Sequence, residues 1–314
     1  MGDSNFVGNK NKDREKRSRL SKKPEFSPPV SAQKIPEKVK HEDLKKFAPS
    51  DRTGLTVHGK GIFRNGKDYQ ISEKTPLIEL KQVFKGFQVA QGDVRVLKNI
   101  NLTIYSGEFV LILGPSGSGK STVLNTIMGL ERPTSGEVLV GGNDLVKASA
   151  DELARFRVMN YGIIFQKPDW IKALDVLGNV AFPMAIINVP KRQHDKAAED
   201  LLDIVGVNNR ARYKPYELSA GEQEKVEVAR ALINNPPILI ADEPTGNLDS
   251  DSATKIMDLF QMLNEELKRT VIMVTHNVSH VKYATRTIYL KDGQLLDGQI
   301  HDEDIKKYEE TPVI

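Results

Sequence analysis

The chain has no cysteine and a single tryptophan, Trp170. Without thiols, disulfides, thiolate zinc sites and cysteine nucleophiles are excluded, which is compatible with a reducing compartment. Aromatic residues make up only 6%, and nowhere do the roughly 18 consecutive apolar residues of a bilayer-spanning helix occur. No transmembrane segment is expected. The N-terminus is basic but lacks the apolar stretch of a secretory signal, and Phe6 stands where a myristoylation motif requires Ser or Thr. The expected location is the cytosol. What is present is 314 residues, 39% hydrophobic and 28% charged, enough for one large domain or two ordinary ones with a sizeable core.

The net charge of +3 hides two different materials. Residues 1–75 carry 18 Lys and Arg against 10 Asp and Glu, while residues 76–314 are net negative. The first segment also contains Pro24, Pro28, Pro29, Pro36 and Pro49 and few aliphatics. Such a stretch cannot bury enough apolar area to offset chain entropy, so a mostly disordered basic extension is expected over 1–75. Within it, Glu37 to Phe47 could form a helical turn or two, and Phe63 to Gly66 a short hairpin.

Order is expected from Pro76. Leu77 to Val83 alternates like a strand, and Val94 to Ile104 reads as a second after a Gly92-Asp93 turn. Four short unbroken apolar runs follow: Phe109–Leu113, Gly162–Phe165, Ile238–Ala241 and Val271–Val274. Strands buried on both faces have this composition. Helical stretches separate them: Ser121–Gly129, Asp151–Arg157, Lys191–Val205, Glu222–Asn234 and Ser252–Arg269. The alternation predicts an α/β domain over 76–300, with a mainly parallel core sheet, an antiparallel β flap and a helical subdomain at about 167–234. Residues 301–314 form a C-terminal tail.

The sequence Gly114, Pro115, Ser116, Gly117, Ser118, Gly119, Lys120, Ser121, Thr122 follows an apolar strand and opens a helix. This is the phosphate-loop pattern in the context that confirms it. Glycines let backbone N–H groups wrap phosphate oxygens, and the helix N-terminus adds partial positive charge. Lys120 is the expected partner of the β- and γ-phosphates, and Ser121 a ligand of Mg²⁺. The run Ile238–Ala241 ends in Asp242 and Glu243, two carboxylates at the strand edge where α/β sheets bind ligands. Asp242 suits the metal, and Glu243 the attacking water. Standing alone, the pair could equally be a solvated strand exit.

A phosphate loop and an Asp-Glu pair leave several nucleotide-hydrolysing families open. The run from Leu218 through Ser219, Ala220, Gly221, Glu222 and Gln223 to Leu232 resembles the signature motif of ABC (ATP-binding cassette) proteins. Ser219 and Glu222 also spell a helix capping box, the plainer reading of the same residues. The resemblance covers residues 77–300 and implies a P-loop NTPase of the ABC cassette type, an ATPase using ATP and Mg²⁺. It implies further that Ser219 and Gly221 grip the γ-phosphate held by a second cassette, so that the working unit is a homodimer or cassette–cassette dimer. Phe87 matches the aromatic that stacks on adenine, Gln166 the loop glutamine that meets Mg²⁺ or water, Asp249 the loop at the dimer interface, and His276 the switch histidine. Glu243, His276, Gln166 and Lys120 are thus the expected catalytic residues, and Ser121, Gln166 and Asp242 the metal ligands.

Ala241 to Ser250 and the Leu-x-x-Gly-Glu form of the signature are most similar to the lipoprotein-release and macrolide-export branch, which also contains the cell-division ATPase FtsE. The expected partner is an integral membrane permease on a separate chain, with the cassette peripheral on the cytoplasmic face. Trp170, Ile171 and Leu174 either form the groove for that partner or pack in the core. The competing readings are an FtsE-like ATPase that gates a cell-wall enzyme through a membrane partner, and a soluble ABC protein acting on nucleic acid. The sequence carries no firm nucleic-acid signal, and the basic arm could touch anionic lipid. Three departures from the family pattern stand out. Ala220 replaces a glycine, at a position where positive φ would cost about 1 kcal/mol. Lys225 replaces an arginine, and Glu224 and Glu227 add negative charge that would compete with phosphate near the helix start.

Overall fold

The computed structural model describes residues 76–90 and 92–296. The expected N-terminal extension with its two local elements, and the C-terminal tail, lie outside the described residues. Two sheets form. In the first, strands β1 (Pro76–Val89), β2 (Gly92–Tyr105), β4 (Ser135–Val140) and β5 (Asn143–Asp144) pair antiparallel in the order β2-β1-β4-β5. The second has the order β10-β9-β3-β8-β7-β6 and comprises β3 (Phe109–Leu113), β6 (Tyr161–Ile164), β7 (Ile238–Asp242), β8 (Thr270–Val274), β9 (Arg286–Lys291) and β10 (Gln294–Leu296). It is parallel except for the β9–β10 hairpin. The helices are α1 (Lys120–Ile127), α2 (Ala150–Asn160), α3 (Val176–Ile186), α4 (Lys191–Ile204), α5 (Ala220–Leu232) and α6 (Ser250–Glu265).

The unbroken apolar runs are explained by two cores that meet at one sheet. Phe109, Leu111 and Leu113 of β3, Leu239 and Ala241 of β7, and Val271 and Met273 of β8 face the cluster built with α3 to α6. The alternate residues Val110, Ile112, Ile238, Ile240, Ile272 and Val274 face a second cluster. That one contains Val123, Leu124 and Ile127 of α1 together with the apolar face of the antiparallel sheet. Since side chains of a strand point to opposite faces in turn, a strand feeding two cores must be apolar at every position. Each fully buried aliphatic contributes about 1.5–3 kcal/mol, so these strands fix the platform on which the catalytic loops stand.

Several boundaries differ from those expected. The first strand continues to Val89 because a bulge at Lys81-Gln82, where Gln82 takes φ 49°, lets pairing resume with both neighbours. Gly92 and Asp93 open β2 instead of forming the turn, since Val89 already pairs with Gly92. Helix α5 starts two residues earlier than expected, at Ala220, and α6 ends at Glu265.

Candidate active site

The phosphate loop joins β3 to α1, and Gly114 and Gly119 are fixed by close packing. Gly114 has φ 157°, and a Cβ there would lie 2.1 Å from the Leu290 carbonyl oxygen. Gly119 caps α1 in the left-handed region at φ 103°, and a Cβ there would meet Leu97 Cδ2 at 3.0 Å and the Val96 carbonyl at 3.2 Å. The loop is therefore wedged between β9 and β2, and only glycine fits at either point.

Lys120 is buried, and its ammonium donates to the carbonyls of Gly114 at 2.8 Å and Pro115 at 3.0 Å. Burial lowers its pKa, opposed by the charges of Glu243 and Asp242. Burial also raises the pKa of Asp242, opposed by a hydrogen bond with Ser121. Lysine, hydroxyl and two carboxylates thus converge from α1 and the end of β7. Ser118 Oγ is buried in the loop without a hydrogen-bond partner, an orphan that a phosphate oxygen would satisfy. Among the described residues no group of three or more His, Cys, Asp or Glu is arranged to hold a metal ion by itself. The donor set is one hydroxyl and one carboxylate, which suits Mg²⁺, an ion that keeps waters and substrate phosphates in its shell.

Glu243 adopts φ 49°, the left-handed region that costs a non-glycine residue roughly 1–2 kcal/mol. The turn is held by its N–H donating to the Val274 carbonyl at 2.9 Å, so strain here is built into the sheet edge. Its carboxylate Oε2 lies 2.8 Å from His276 Nδ1. His276 is exposed just beyond β8, and Glu243 is mostly covered. The two residues that the resemblance assigns to water and γ-phosphate therefore touch.

The other expected residues lie on separate elements. Gln166 is exposed two residues past β6. Phe87 pairs with Val94 across the hairpin, two residues along β2 from the Val96 carbonyl that abuts Gly119. Its ring lies 4.7 Å under Lys85 Nζ. Asp249 caps α6, accepting from Ser252 N at 3.0 Å and Oγ at 2.7 Å, so the turn-forming role is real. Ser219 is exposed and caps α5 in a capping box with Glu222. Burial pushes the Glu222 carboxyl up, but Arg210 Nε at 2.8 Å and the Ser219 bonds outweigh it, leaving the pKa low.

The three departures resolve differently from expectation. Ala220 is the first residue of α5 and is absent from the positive-φ residues, so its Cβ carries no backbone penalty. Lys225 is half-buried beside Lys255, and burial with that charge lowers its pKa. Glu224 and Glu227 are buried, Glu227 fully, on the inward face of the helix and away from the exposed Ser219 start. Competition with phosphate at the helix tip is thereby removed. Trp170 is half-buried against the core, its Nε1 donating to Gln223 at 3.1 Å and its ring 4.6 Å from the Arg230 guanidinium, so packing is its role. Phe182 and Ile186 on α3 are large exposed apolar side chains, which sequence reasoning missed because α3 is apolar all round and offers no stripe.

Glycine-wrapped loop, buried lysine, hydroxyl, paired carboxylates and a parallel sheet define a P-loop nucleoside-triphosphatase. The profile described as ABC transporter matches residues 97–246. The ABC transporter ATP-binding protein MJ1508 of Methanocaldococcus jannaschii is 46% identical over 221 residues, 70% of this chain and 98% of that one. A macrolide export ATP-binding/permease protein, MacB of a Shewanella species, is 40% identical over 224 residues, 71% of this chain and 34% of MacB. The dimeric bacterial ABC transporter cassette MJ0796 superposes with a TM-score of 0.68 at 41% identity, covering 71% of this chain and 99% of that one. A second dimeric structure of MJ0796 is of a post-hydrolysis state bound to ADP and Pi. The chain belongs to the ABC transporter family. It is an ATP-binding cassette, an ATPase whose cofactors are ATP and Mg²⁺.

Proposed function

We propose that this cassette hydrolyses ATP at a site completed by a second cassette and drives a membrane permease on a separate chain. The observation that carries the reading is the convergence of Lys120, Ser121, Asp242 and Glu243 at one sheet edge, with His276 in contact with Glu243. Lys120 gives up its carbonyl partners for the β- and γ-phosphates, and Gly114 to Thr122 supply N–H donors around them. Ser121, Asp242 and Gln166 would hold Mg²⁺, which would supply neutralisation of phosphate charge. Glu243 accepts a proton from the attacking water, and His276 steadies the carboxylate and then the γ-phosphate. Phe87 would stack on adenine.

At the start of α5 Ser219 is exposed and Gly221 half-buried. Offered to the phosphates of an opposite copy, the helix's N–H groups and dipole would complete the site, with Asp249 nearby at the interface. Closure is a population shift, favoured to the extent that ATP binds the closed pair more tightly. The dimers of MJ0796 and the permease segment named in MacB support both partners. Among the described residues no helix is long and apolar enough to cross a membrane. The cassette then sits on the cytoplasmic face, and the exposed Phe182 and Ile186 are candidate contacts.

The test is Glu243→Gln, which keeps shape but removes the base. It should bind ATP, lose turnover by a factor of 100 or more on the order expected for a general base, and accumulate as a dimer in size-exclusion chromatography with ATP. Wild-type turnover in this variant, or full-rate hydrolysis by strictly monomeric protein, contradicts the assignment.

A further inference from the structure

Helix α5 is tied to the segment that follows β6 by four side-chain interactions, none of which the ATPase chemistry uses. Glu227 Oε1 accepts the Phe165 N–H at 3.0 Å. Arg230 donates to the Asp169 carbonyl at 2.9 Å and lies over the Trp170 ring, whose Nε1 donates to Gln223. Gln223 in turn donates to the Leu218 carbonyl at 3.1 Å, next to the capping Ser219. The tied segment, 165–170, contains Gln166.

Glu227 is the costly member of this set. It is fully buried, and among the described residues its Oε2 has no hydrogen-bond partner and its ion pair is a long one of 3.4 Å to Arg230. One turn away, Glu224 Oε1 is likewise buried and unpartnered. A carboxylate buried with an orphan oxygen is usually less favourable than an apolar residue of the same volume. Stability therefore does not account for Glu227, whereas the bond it makes is specific: the Phe165 N–H is the backbone donor immediately before Gln166.

We propose that Glu227 is a positioning residue for Gln166, pinning the peptide before it so that the helix offered to an opposite nucleotide and the glutamine facing its own nucleotide move as one piece. The proposal rests on the reading of Gln166 given above. Groups that face Glu227 are Glu224 and Arg230 on its own helix, and Asp169 acts on it through Arg230 from the tied segment.

The experiment uses the full chain and two variants. Glu227→Met fills the volume without an acceptor, and Glu227→Gln keeps Oε1 while placing an amide where Oε2 has no partner. Hydrogen exchange of the Tyr161–Gln166 segment should quicken in the Met variant and stay at the wild-type rate in the Gln variant. With Mg²⁺ and ATP, the Met variant should lose about tenfold in kcat and in apparent Mg²⁺ affinity, the range for a group behind a metal ligand. Nucleotide affinity without Mg²⁺ should stay within about twofold, and the Gln variant should restore turnover. In a Gln166→Ala background the Met substitution should add nothing further. Unchanged exchange, equal losses in the Met and Gln variants, or an additive loss in the double variant overturns the positioning role. Quickened exchange with wild-type turnover in Gln166→Ala would instead retain the tie and remove Gln166 from the site.

Discussion

Glu224 and Glu227 make the stability of this domain fall where most carboxylates make it rise. Burial pushes the Glu224 carboxyl up to about 9, helped by the charge of Glu227. Burial pushes Glu227 up to about 7, against the Phe165 and Arg230 interactions. In the unfolded chain both titrate near 4.5. Between pH 6 and pH 8 the folded state consequently holds protons that the unfolded state has lost, and stability declines as pH rises. One proton held across two pH units at about 1.4 kcal/mol per unit gives about 2–3 kcal/mol for Glu224, and about half that for Glu227, which titrates within the window. Urea unfolding of nucleotide-free protein at pH 6 and pH 8 reads this directly. With a slope of 1–3 kcal/mol per molar, roughly, the Glu224 share moves the midpoint by about 1 M. Glu224→Gln is neutral at both pH values, so its midpoint should drop by about 1 M less than the wild type's over the same interval. Parallel pH profiles for the two proteins would refute the account, because other titrating groups are common to both.

Lys120→Ala should abolish nucleotide binding measured by fluorescent-ATP titration, and retained tight affinity would contradict the cradle. Gly114→Ala should destabilise or distort the loop, since its Cβ meets the Leu290 carbonyl at 2.1 Å; a wild-type melting temperature together with wild-type ATP affinity would show that the loop yields freely. Ile112→Ala should cost about 2–5 kcal/mol in chemical denaturation, as a fully buried aliphatic in the central strand. Ser219→Ala should cost only about 1 kcal/mol as a lost cap, yet reduce turnover more than that loss explains; a cost in stability without one in turnover would leave Ser219 with capping alone.

The four unbroken apolar runs were legible because double burial leaves no polar position, and each falls within a residue of its strand. The positions of the phosphate loop, Asp242, Glu243 and His276 at strand ends were legible because each follows one of those apolar runs. Other elements carry no such mark. Strand β4, Ser135–Val140, has a half-exposed pattern, and β5 and β10 are two and three residues long. Helix α3 holds Gly178 and Pro183 and reads as neither helix nor strand from periodicity. The inward placement of Glu224 and Glu227 was not legible, because charged residues three apart on a helix usually mark its solvated side. Only the helix's rotation against Phe165 reveals it. Ala220 shows the opposite error: a departure from the family pattern suggested strain, and the local backbone absorbs it.

The alternation of β3, β7 and β8 between two cores has a mechanical corollary. Sliding any of these strands would open apolar contacts above and below it simultaneously, so the sheet beneath the phosphate loop resists displacement. If Glu227 holds the Phe165 peptide as proposed, motion accompanying ATP turnover would pass through the few side-chain bonds between α5 and residues 165–170.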